Sequence, residues 1–446
     1  MYSRKMAEFS PGRLILLLLF STITVGTLLL ALPIARINPI SLLDLFFTAT
    51  SVTCVSGLFT VPLDQFTFVG HCIIALLMQI GGLGLITLTL FFIYLIMDVG
   101  MSTNLMASQL LEIESWKKIK QILLFIMLTT ICLEIIGMFC LLPVFLPYFP
   151  LSYSIFLALF HSISAFCNAG IWLVNDRLIA SFSTNFLLLI VMTALILIGN
   201  LGFITLHELM RRFFFNQPRA FTISLHSKIV LIGSVIIIIS SSILYFLLEY
   251  NYTLHNLTWG TACMNALFYS NSLRSAGVIF VDPSQWHPAT PLMSMITGFI
   301  GSAPFSTGSG IKLTTVAIFI ATVRTAISGR TDVEIKGRCI PIDLVHKAIA
   351  IVSLSALWII TTTFILLITE SSGTFLQLLY EAVMAFTNVG ISSGITPHLS
   401  AIGKIVIMIS MLVGRIGSLT LILALTFKKR KKVIDFSYPE ERVMLG

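Results

Sequence analysis

This chain is poor in charge. Asp, Glu, Lys and Arg make up 10% of its 446 residues, where a soluble domain carries about 25%. With 57% hydrophobic residues and a mean hydropathy of +0.99, a soluble globular domain is excluded and a membrane protein is expected. The seven cysteines (54, 72, 132, 140, 167, 263 and 339) are odd in number, scattered and without a CxxC pair, which argues against a disulfide framework or a zinc site. No GxxxxGK[ST] run is present. Gly308-Ser-Gly-Ile-Lys-Leu-Thr314 ends in similar letters at the wrong spacing and without a βαβ context, so nucleotide binding is excluded there. An intramembrane enzyme would need a nucleophile beside a base. His161 and Ser162 are adjacent in one apolar stretch, and neighbours in a helix point in different directions.

What the chain does have is a repeat. Thr48-Ala-Thr-Ser-Val-Thr-Cys-Val-Ser-Gly-Leu58 is a small, polar strip between apolar runs. Ala165-Phe-Cys-Asn-Ala-Gly-Ile171, Asn271-Ser-Leu-Arg-Ser-Ala-Gly-Val278 and Ala385-Phe-Thr-Asn-Val-Gly-Ile391 echo it. Their glycines, Gly57, Gly170, Gly277 and Gly390, follow one another at steps of 113, 107 and 113 residues, so one unit is used four times. Glycine takes backbone angles closed to other residues and can turn its carbonyl toward an axis. Four such strips around one axis make a ring of carbonyls able to replace the hydration shell of a monovalent cation. Small residues also recur at helix contacts in any membrane bundle; four strips in register favour the ring.

The fold expected is an all-α polytopic membrane protein of four tandem helix–pore loop–helix repeats around one pseudo-fourfold pore, with eight transmembrane helices. The repeats cover 1–100, 101–212, 213–328 and 329–427, and a cytoplasmic tail covers 428–446. Leu14 to Leu32 is longer than a signal-peptide core and is read as the opening span. Segments near 40–48, 151–166, 258–273 and 374–386 are too short to span and suit half-helices whose C-terminal ends, carrying partial negative charge, aim at a cation. Second spans are expected over 71–98, 181–206, from 291, and over 402–427. Of 27 Lys and Arg, 21 stand at 4, 5, 13; 117, 118, 120; 211, 212, 219, 228; 324, 330, 336, 338, 347; and 428–432, 442. The positive-inside rule puts these, and both termini, on the cytoplasmic side. That placement, rather than the formal charge of +8, argues against nucleic acid as a partner.

The repeat is broken twice. Gly298 to Thr315 interrupts the second span of repeat three with Gly, Ser and Pro304, a run that no continuous helix favours, and broken membrane helices usually line a pathway. Gly301, Ser302, Ser306, Thr307, Gly308, Ser309, Gly310 and Lys312 are read as a mobile gate, against a plain kink with a snorkelling lysine. Arg415, in Met411-Leu-Val-Gly-Arg-Ile-Gly-Ser-Leu-Thr420, sits inside an apolar helix and should face the bundle interior. It either shapes that gate or pairs with Glu134 as structural glue. Arg274 is expected to pair with carbonyls or an acid behind the third strip.

Taken together, the four glycine strips, Gln79-Ile-Gly-Gly-Leu-Gly84, the run ending Gly310-Ile-Lys-Leu-Thr-Thr315 and Gly414-Arg-Ile-Gly-Ser-Leu-Thr420 resemble the Trk/Ktr/HKT superfamily of potassium transporters. The short N-terminus and the ending Tyr438-Pro-Glu-Glu-Arg-Val-Met-Leu-Gly446 look most like the Ktr membrane subunit, KtrB. The resemblance implies potassium uptake across a bacterial inner membrane, without catalysis and without a cofactor in this chain. The implied ligands are the backbone carbonyls of Cys54, Val55, Ser56 and Gly57; of Cys167, Asn168, Ala169 and Gly170; of Arg274, Ser275, Ala276 and Gly277; and of Thr387, Asn388, Val389 and Gly390. It also implies a homodimer with a pore in each protomer, a gate at 301–312 working with Arg415, and a cytosolic ring of RCK subunits carrying the regulating nucleotide. Serine replaces the first filter glycine in relatives that prefer sodium, so four glycines favour potassium; a sodium-permeable or poorly selective member is the alternative. Phe305 and Ser309 depart from the small residues and glycine usual in that loop, and Cys54 and Cys167 occupy places often held by other small residues. The basic run Lys428 to Lys432 suits contact with anionic lipid.

Overall fold

The structure, a computed structural model, describes residues 11–83, 116–174, 179–214 and 223–417. It is a mostly helical bundle, and its helices fall in turn along the four segments expected from the sequence as repeats. In the first repeat, α1 (Pro11–Ala31) leads to the short α2 (Leu42–Cys54), a polar strip, and α3 (Phe68–Gly82). In the second, α4 (Trp116–Phe145) leads to α5 (Leu151–Cys167), then α6 (Ile179–Ser183), α7 (Phe186–Asn200) and α8 (Phe203–Phe214). The third comprises α9 (Leu225–Glu249), α10 (Trp259–Ser272), α11 (Thr290–Phe299) and α12 (Leu313–Ile327). A two-stranded hairpin of β1 (Glu334–Ile335) and β2 (Arg338–Cys339) precedes the fourth, made of α13 (Ile342–Thr369), α14 (Phe375–Thr387) and α15 (Ala401–Ile416). The hairpin is the one departure from an all-α chain among the described residues, and it turns through Lys336 and Gly337, both at positive φ.

Local chemistry sets the helix boundaries. Ser41, Thr258 and Thr374 stand at the N-caps of α2, α10 and α14, each accepting the backbone N–H three residues on, and Thr374 forms a capping box with Gln377. Such caps satisfy donors that the first helical turn leaves unpaired. Thr67, Asn185 and Ser400 do the same for α3, α7 and α15.

Each first helix packs along the short helix of its own repeat: α1 on α2, α4 on α5, α9 on α10 and α13 on α14. Each second helix packs on the short helix of the next repeat. Thus α3 meets α5, α7 meets α10, α11 meets α14, and α15 returns to α2. An ion pair between Lys404 of α15 and Asp44 of α2, at 2.7 Å, fastens the last repeat to the first.

Two buried or half-buried glutamates close the repeats from within. Glu249, at the end of α9, accepts from Thr253 Oγ1 at 2.8 Å, from His287 N at 2.9 Å and from Thr290 Oγ1. Glu370, just past α13, accepts from Ser400 N at 2.9 Å and Ser400 Oγ at 2.6 Å. In both repeats the end of the first helix thereby holds the start of the second.

The helix breaks exceed the expectation. Repeat three is interrupted between Phe299 and Leu313 as its composition predicts. The second span of repeat two, expected to run unbroken over 181–206, bends by 102° between α7 and α8. At that bend Gly202 sits at φ 80°, and a Cβ there would meet the Pro304 carbonyl. By length and composition three described helices can cross a membrane, Leu123–Phe145, Leu225–Glu249 and Ile342–Thr369, or four if α7 and α8 count as one. Of the other second helices, that of repeat three is broken, and α3 and α15 end at Gly82 and Ile416. The expected continuation of α3 to residue 98 and the tail after Gly417 lie outside the described residues.

Replacing Glu370 with Ala leaves Ser400 N–H without its acceptor and is expected to cost about 1–3 kcal/mol. Glu334→Ala, which removes only an exposed hairpin pair with Arg330, should leave stability unchanged. Thermal unfolding of the detergent-solubilised protein checks both.

Candidate functional site

The four strips adopt one backbone pattern. Two residues before each strip glycine a non-glycine residue is at positive φ: Val55 at 58°, Asn168 at 58°, Ser275 at 94° and Asn388 at 52°. The glycines themselves are at 89°, 69°, 65° and 78° for Gly57, Gly170, Gly277 and Gly390. Left-handed conformations at alternate positions are costly for L-residues and persist where the surroundings over-determine them. The reversal of chain direction exposes carbonyls instead of pairing them. The carbonyls of Ser56 and Gly57, Ala169 and Gly170, Ala276 and Gly277, and Val389 and Gly390 accept no hydrogen bond from another described residue. The strip N–H groups turn outward to their own helices, as in Ser56 N to Ser51 O at 2.8 Å, Ala169 N to Ser164 O at 2.8 Å and Val389 N to Met384 O at 3.1 Å.

The strips meet in a ring. A Cβ added to Gly57 would stand 2.9 Å from the Ala169 carbonyl oxygen, and one on Gly170 would stand 2.7 Å from that of Ala276. One on Gly277 would meet Val389 O, and one on Gly390 would meet Ser56 O. Each strip thus abuts the next, and the fourth abuts the first.

A second set of glycines presses the following helices against the strips. Gly81, Gly199, Gly298 and Gly414 face the carbonyls of Thr53, Phe166, Leu273 and Phe386 respectively. Each of those carbonyls lies four residues before its strip glycine. All four glycines therefore stand at one equivalent point behind the strips.

Loop 300–312 lies against this assembly. Its two limbs pair through Gly301 N to Ile311 O at 2.9 Å and Ser302 N to Ser309 O at 3.2 Å. Gly301 and Gly310 touch so closely that a side chain on Gly301 would strike Ser309 O. Asn200 O and Gly199 O, released by the end of α7, accept from Ala303 N at 3.1 Å and Thr307 N at 3.2 Å. Thr307 Oγ1 donates to Phe166 O at 2.8 Å and accepts from Asn168 Nδ2 at 2.7 Å, while Ser309 N donates to Ser275 Oγ at 2.8 Å. Ser306 Oγ closes the loop onto Ala303 O at 2.6 Å. Phe305 adopts φ 54° and presents its carbonyl to Phe203 N at 2.8 Å.

Two cations anchor the loop. Lys312 Nζ donates to Gly308 O at 2.8 Å and lies 3.3 Å from Ser302 Oγ, so its head turns back into the loop rather than snorkelling. Arg415 donates through Nη1 to Thr307 O and Ser309 Oγ, both at 2.8 Å, and through Nη2 to Gly81 O. It makes no ion pair with Glu134, whose carboxylate takes Gln79 Nε2 at 3.1 Å instead. Arg274 is corrected too: it is buried, yet its Nε and Nη2 have no partner among the described residues, neither carbonyl nor acid.

The expected strip and loop residues therefore come together in one place with Arg415. Asn200 and Gly202 were not singled out as part of it. Gly199-Asn-Leu-Gly202 and Gly414-Arg-Ile-Gly417 share their spacing, and that signal places Asn200 opposite the same loop as Arg415.

A bundle of apolar helices that gathers four strips of unpaired carbonyls onto one ring has the build of an ion-transport protein. The chain belongs to the TrkH family of cation transport proteins, whose model matches residues 18–433. It is 32% identical to the Potassium/sodium uptake protein NtpJ of Enterococcus hirae, over 100% of this chain and 99% of that one. It is also 32% identical to the Ktr system potassium uptake protein B of Bacillus subtilis, over 99% and 98% of the two chains. Its fold matches the crystal structure of the potassium transporter TrkH from Vibrio parahaemolyticus with a TM-score of 0.73 at 19% identity, covering 94% of this chain and 86% of that one. These are transporters rather than enzymes.

Because Gly414 lies against Phe386 O while Gly260 has no atom within 4 Å of an added Cβ, Gly414→Ala should abolish folded protein in the membrane and Gly260→Ala should be silent. Immunoblotting of membrane fractions distinguishes them.

Proposed function

We propose that the ring of strips is the selectivity filter of a potassium uptake pore, with four helix–pore loop–helix repeats around a pseudo-fourfold axis and eight spans. The observation that carries this is the set of strip carbonyls, on buried and half-buried residues, with no donor among the described residues. Buried carbonyls are almost always paired, and here a desolvated cation is the partner that suits all four strips at once. The short helices α2, α5, α10 and α14 end at the strips and add the partial negative charge of their C-termini. The membrane potential, worth about 2.3 kcal/mol per charge per 100 mV, drives the ion inward.

In this reading loop 300–312 is the gate and Arg415 its latch. Two donated hydrogen bonds tie Arg415 to the loop and a third ties it to Gly81 of α3, and the positive charges of Arg415 and Lys312 raise the barrier to a cation while the loop is in place. Opening replaces those bonds with others. A homodimer on a cytosolic ring of nucleotide-binding subunits, with both termini cytoplasmic, would supply the control. The relatives named as protein B of a Ktr potassium uptake system support a multi-component assembly.

The name of the Enterococcus hirae relative, potassium/sodium uptake, gives one reason to keep a less selective pore in view. Four filter glycines favour potassium over it.

Rubidium and sodium uptake in a bacterium lacking its own potassium systems tests the proposal. Wild type should take up rubidium, and Gly57→Ser, forced to φ 89° against Ala169 and Gly170, should lose discrimination against sodium. Arg415→Ala should raise uptake about tenfold or more, since even one charge-assisted hydrogen bond of ~1.5 kcal/mol corresponds to that shift. Sodium uptake without rubidium uptake in wild type would establish the alternative.

A further inference from the structure

Three glutamates are buried among the described residues, and one of them is poorly supplied with donors. Glu249 and Glu381 are fully buried and fully provided for. Glu249 has the three donors described above, and Glu381 accepts from Ser392 Oγ at 2.5 Å, Ser393 N at 2.9 Å, Ser393 Oγ at 3.1 Å and Thr396 Oγ1 at 2.9 Å. Glu134, on α4, is 5% exposed and in a different position. Its carboxylate receives one N–H, from Gln79 of α3 at 3.1 Å, and its other oxygen faces the Cys167 thiol at 3.8 Å. Neither ion pair among the described residues includes it. A buried carboxylate with a single amide donor is under-compensated, and an ionisable group inside a membrane marks a functional site by default.

Its location says what compensates it. Cys167 is the last residue of α5, immediately before Asn168, Ala169 and Gly170 of the second strip. Gly82 of α3 packs on Cys167, and the neighbouring Gly81 carbonyl takes Arg415. The Glu134 carboxylate thus stands behind the second strip, against the side chain of Cys167, and Arg415 bonds Gly81 next to Gly82. Ser162 Oγ donates to the Glu134 backbone carbonyl at 2.7 Å and ties α4 to α5 at this level.

We propose that Glu134 is an affinity-setting residue for the transported monovalent cation, its negative charge acting through Cys167 on the second strip. This rests on the reading of the strips as the cation path. The carboxylate touches no ion. It adds to the partial negative end of α5, offsets Arg415, and is itself compensated by the cation it helps to hold. Glu381, the buried acid bonded to residues just past the fourth strip, already has its charge met by Ser392, Ser393 and Thr396. The residues that precede the positive-φ positions of the other strips, Cys54, Arg274 and Thr387, have no acid among their hydrogen-bond partners, and Arg274 carries the opposite charge. The cation site is therefore electrostatically lopsided, favouring the second strip.

Rubidium uptake kinetics of wild type, Glu134→Gln and Glu134→Asp test this, with membrane abundance measured alongside. A unit charge about 10 Å from a cation, at an effective dielectric of about 20, shifts occupancy on the order of tenfold. Glu134→Gln, equal in shape, should raise KM by that factor with Vmax within twofold, and Glu134→Asp should restore KM to near wild type. An unchanged KM in Glu134→Gln, or an equal rise in both variants, overturns the inference while wild-type uptake leaves the pore reading standing. If Glu134→Gln does not reach the membrane, Glu134→Asp alone decides: a tenfold higher KM refutes the charge account and a KM near wild type supports it. Absence of uptake by wild type removes the pore reading and this inference together.

Discussion

Everything in this molecule depends on backbone approaching backbone where no Cβ fits. The four strip glycines lie against one another's neighbouring carbonyls in cyclic order, and four further glycines lie against the carbonyl four residues before each of them. Eight positions thus set the radius of the ring and the depth to which the second helices enter it. Packing density in protein interiors leaves no slack to absorb a methyl group at such points. The caps, the glutamate ties and the Lys404–Asp44 pair hold the repeats at the periphery so that these contacts are made.

Breaking two helices appears wasteful until the released groups are accounted for. A helix that stops inside a membrane frees carbonyls that hydrocarbon cannot satisfy. Here the carbonyls of Gly199 and Asn200 at the end of α7 are taken by Thr307 and Ala303 of the loop, and Phe203 at the start of α8 donates to Phe305. The bend in repeat two and the gap in repeat three are one structure, each supplying the partners the other needs. That explains why Phe305, a bulky residue at positive φ, is tolerated: the backbone geometry serves the carbonyl it presents to Phe203. Repeat three differs in its strip as well. Its short helix ends with Leu273 in a right-handed conformation, where the other three end in left-handed caps at Val55, Asn168 and Asn388.

Much of this was legible in the sequence because the signals were repeated. A single glycine in Ala165-Phe-Cys-Asn-Ala-Gly-Ile171 says little, but its recurrence at a fixed period identifies positions, and the φ values agree at every one. The loop was legible through Gly, Ser and Pro304, which disfavour a helix wherever they stand. The bend after Asn200 was not, since Leu195 to Leu206 is apolar and helix-compatible locally. Only the partners offered by Ala303 and Thr307, more than a hundred residues away, make stopping favourable. Arg274 shows the opposite limit. Sequence reasoning assigns a buried arginine a partner, and the structure leaves two of its nitrogens without one. The resemblance joins Arg415 to the loop, but its carbonyl partners, Thr307 O and Gly81 O, were out of reach, because every residue has a carbonyl.

The buried charges follow a consistent logic once they are compared. Arg415 and Lys312 are met by carbonyls and hydroxyls, and Glu249 and Glu381 by hydroxyls and N–H groups. The described interior uses dipoles where a soluble protein would use counter-ions. A salt bridge would cancel the field of both its members over a few ångströms, whereas a charge solvated by dipoles keeps its long-range field in a low dielectric. If the loop gates a cation path as proposed, that field is the useful quantity. On that proposal Lys312 and Arg415 on the loop side and Glu134 behind the second strip would act as fixed electrodes around the carbonyl ring. Their effect is set by position instead of by pairing, and displacing the loop moves where Lys312 sits while Glu134 stays in place.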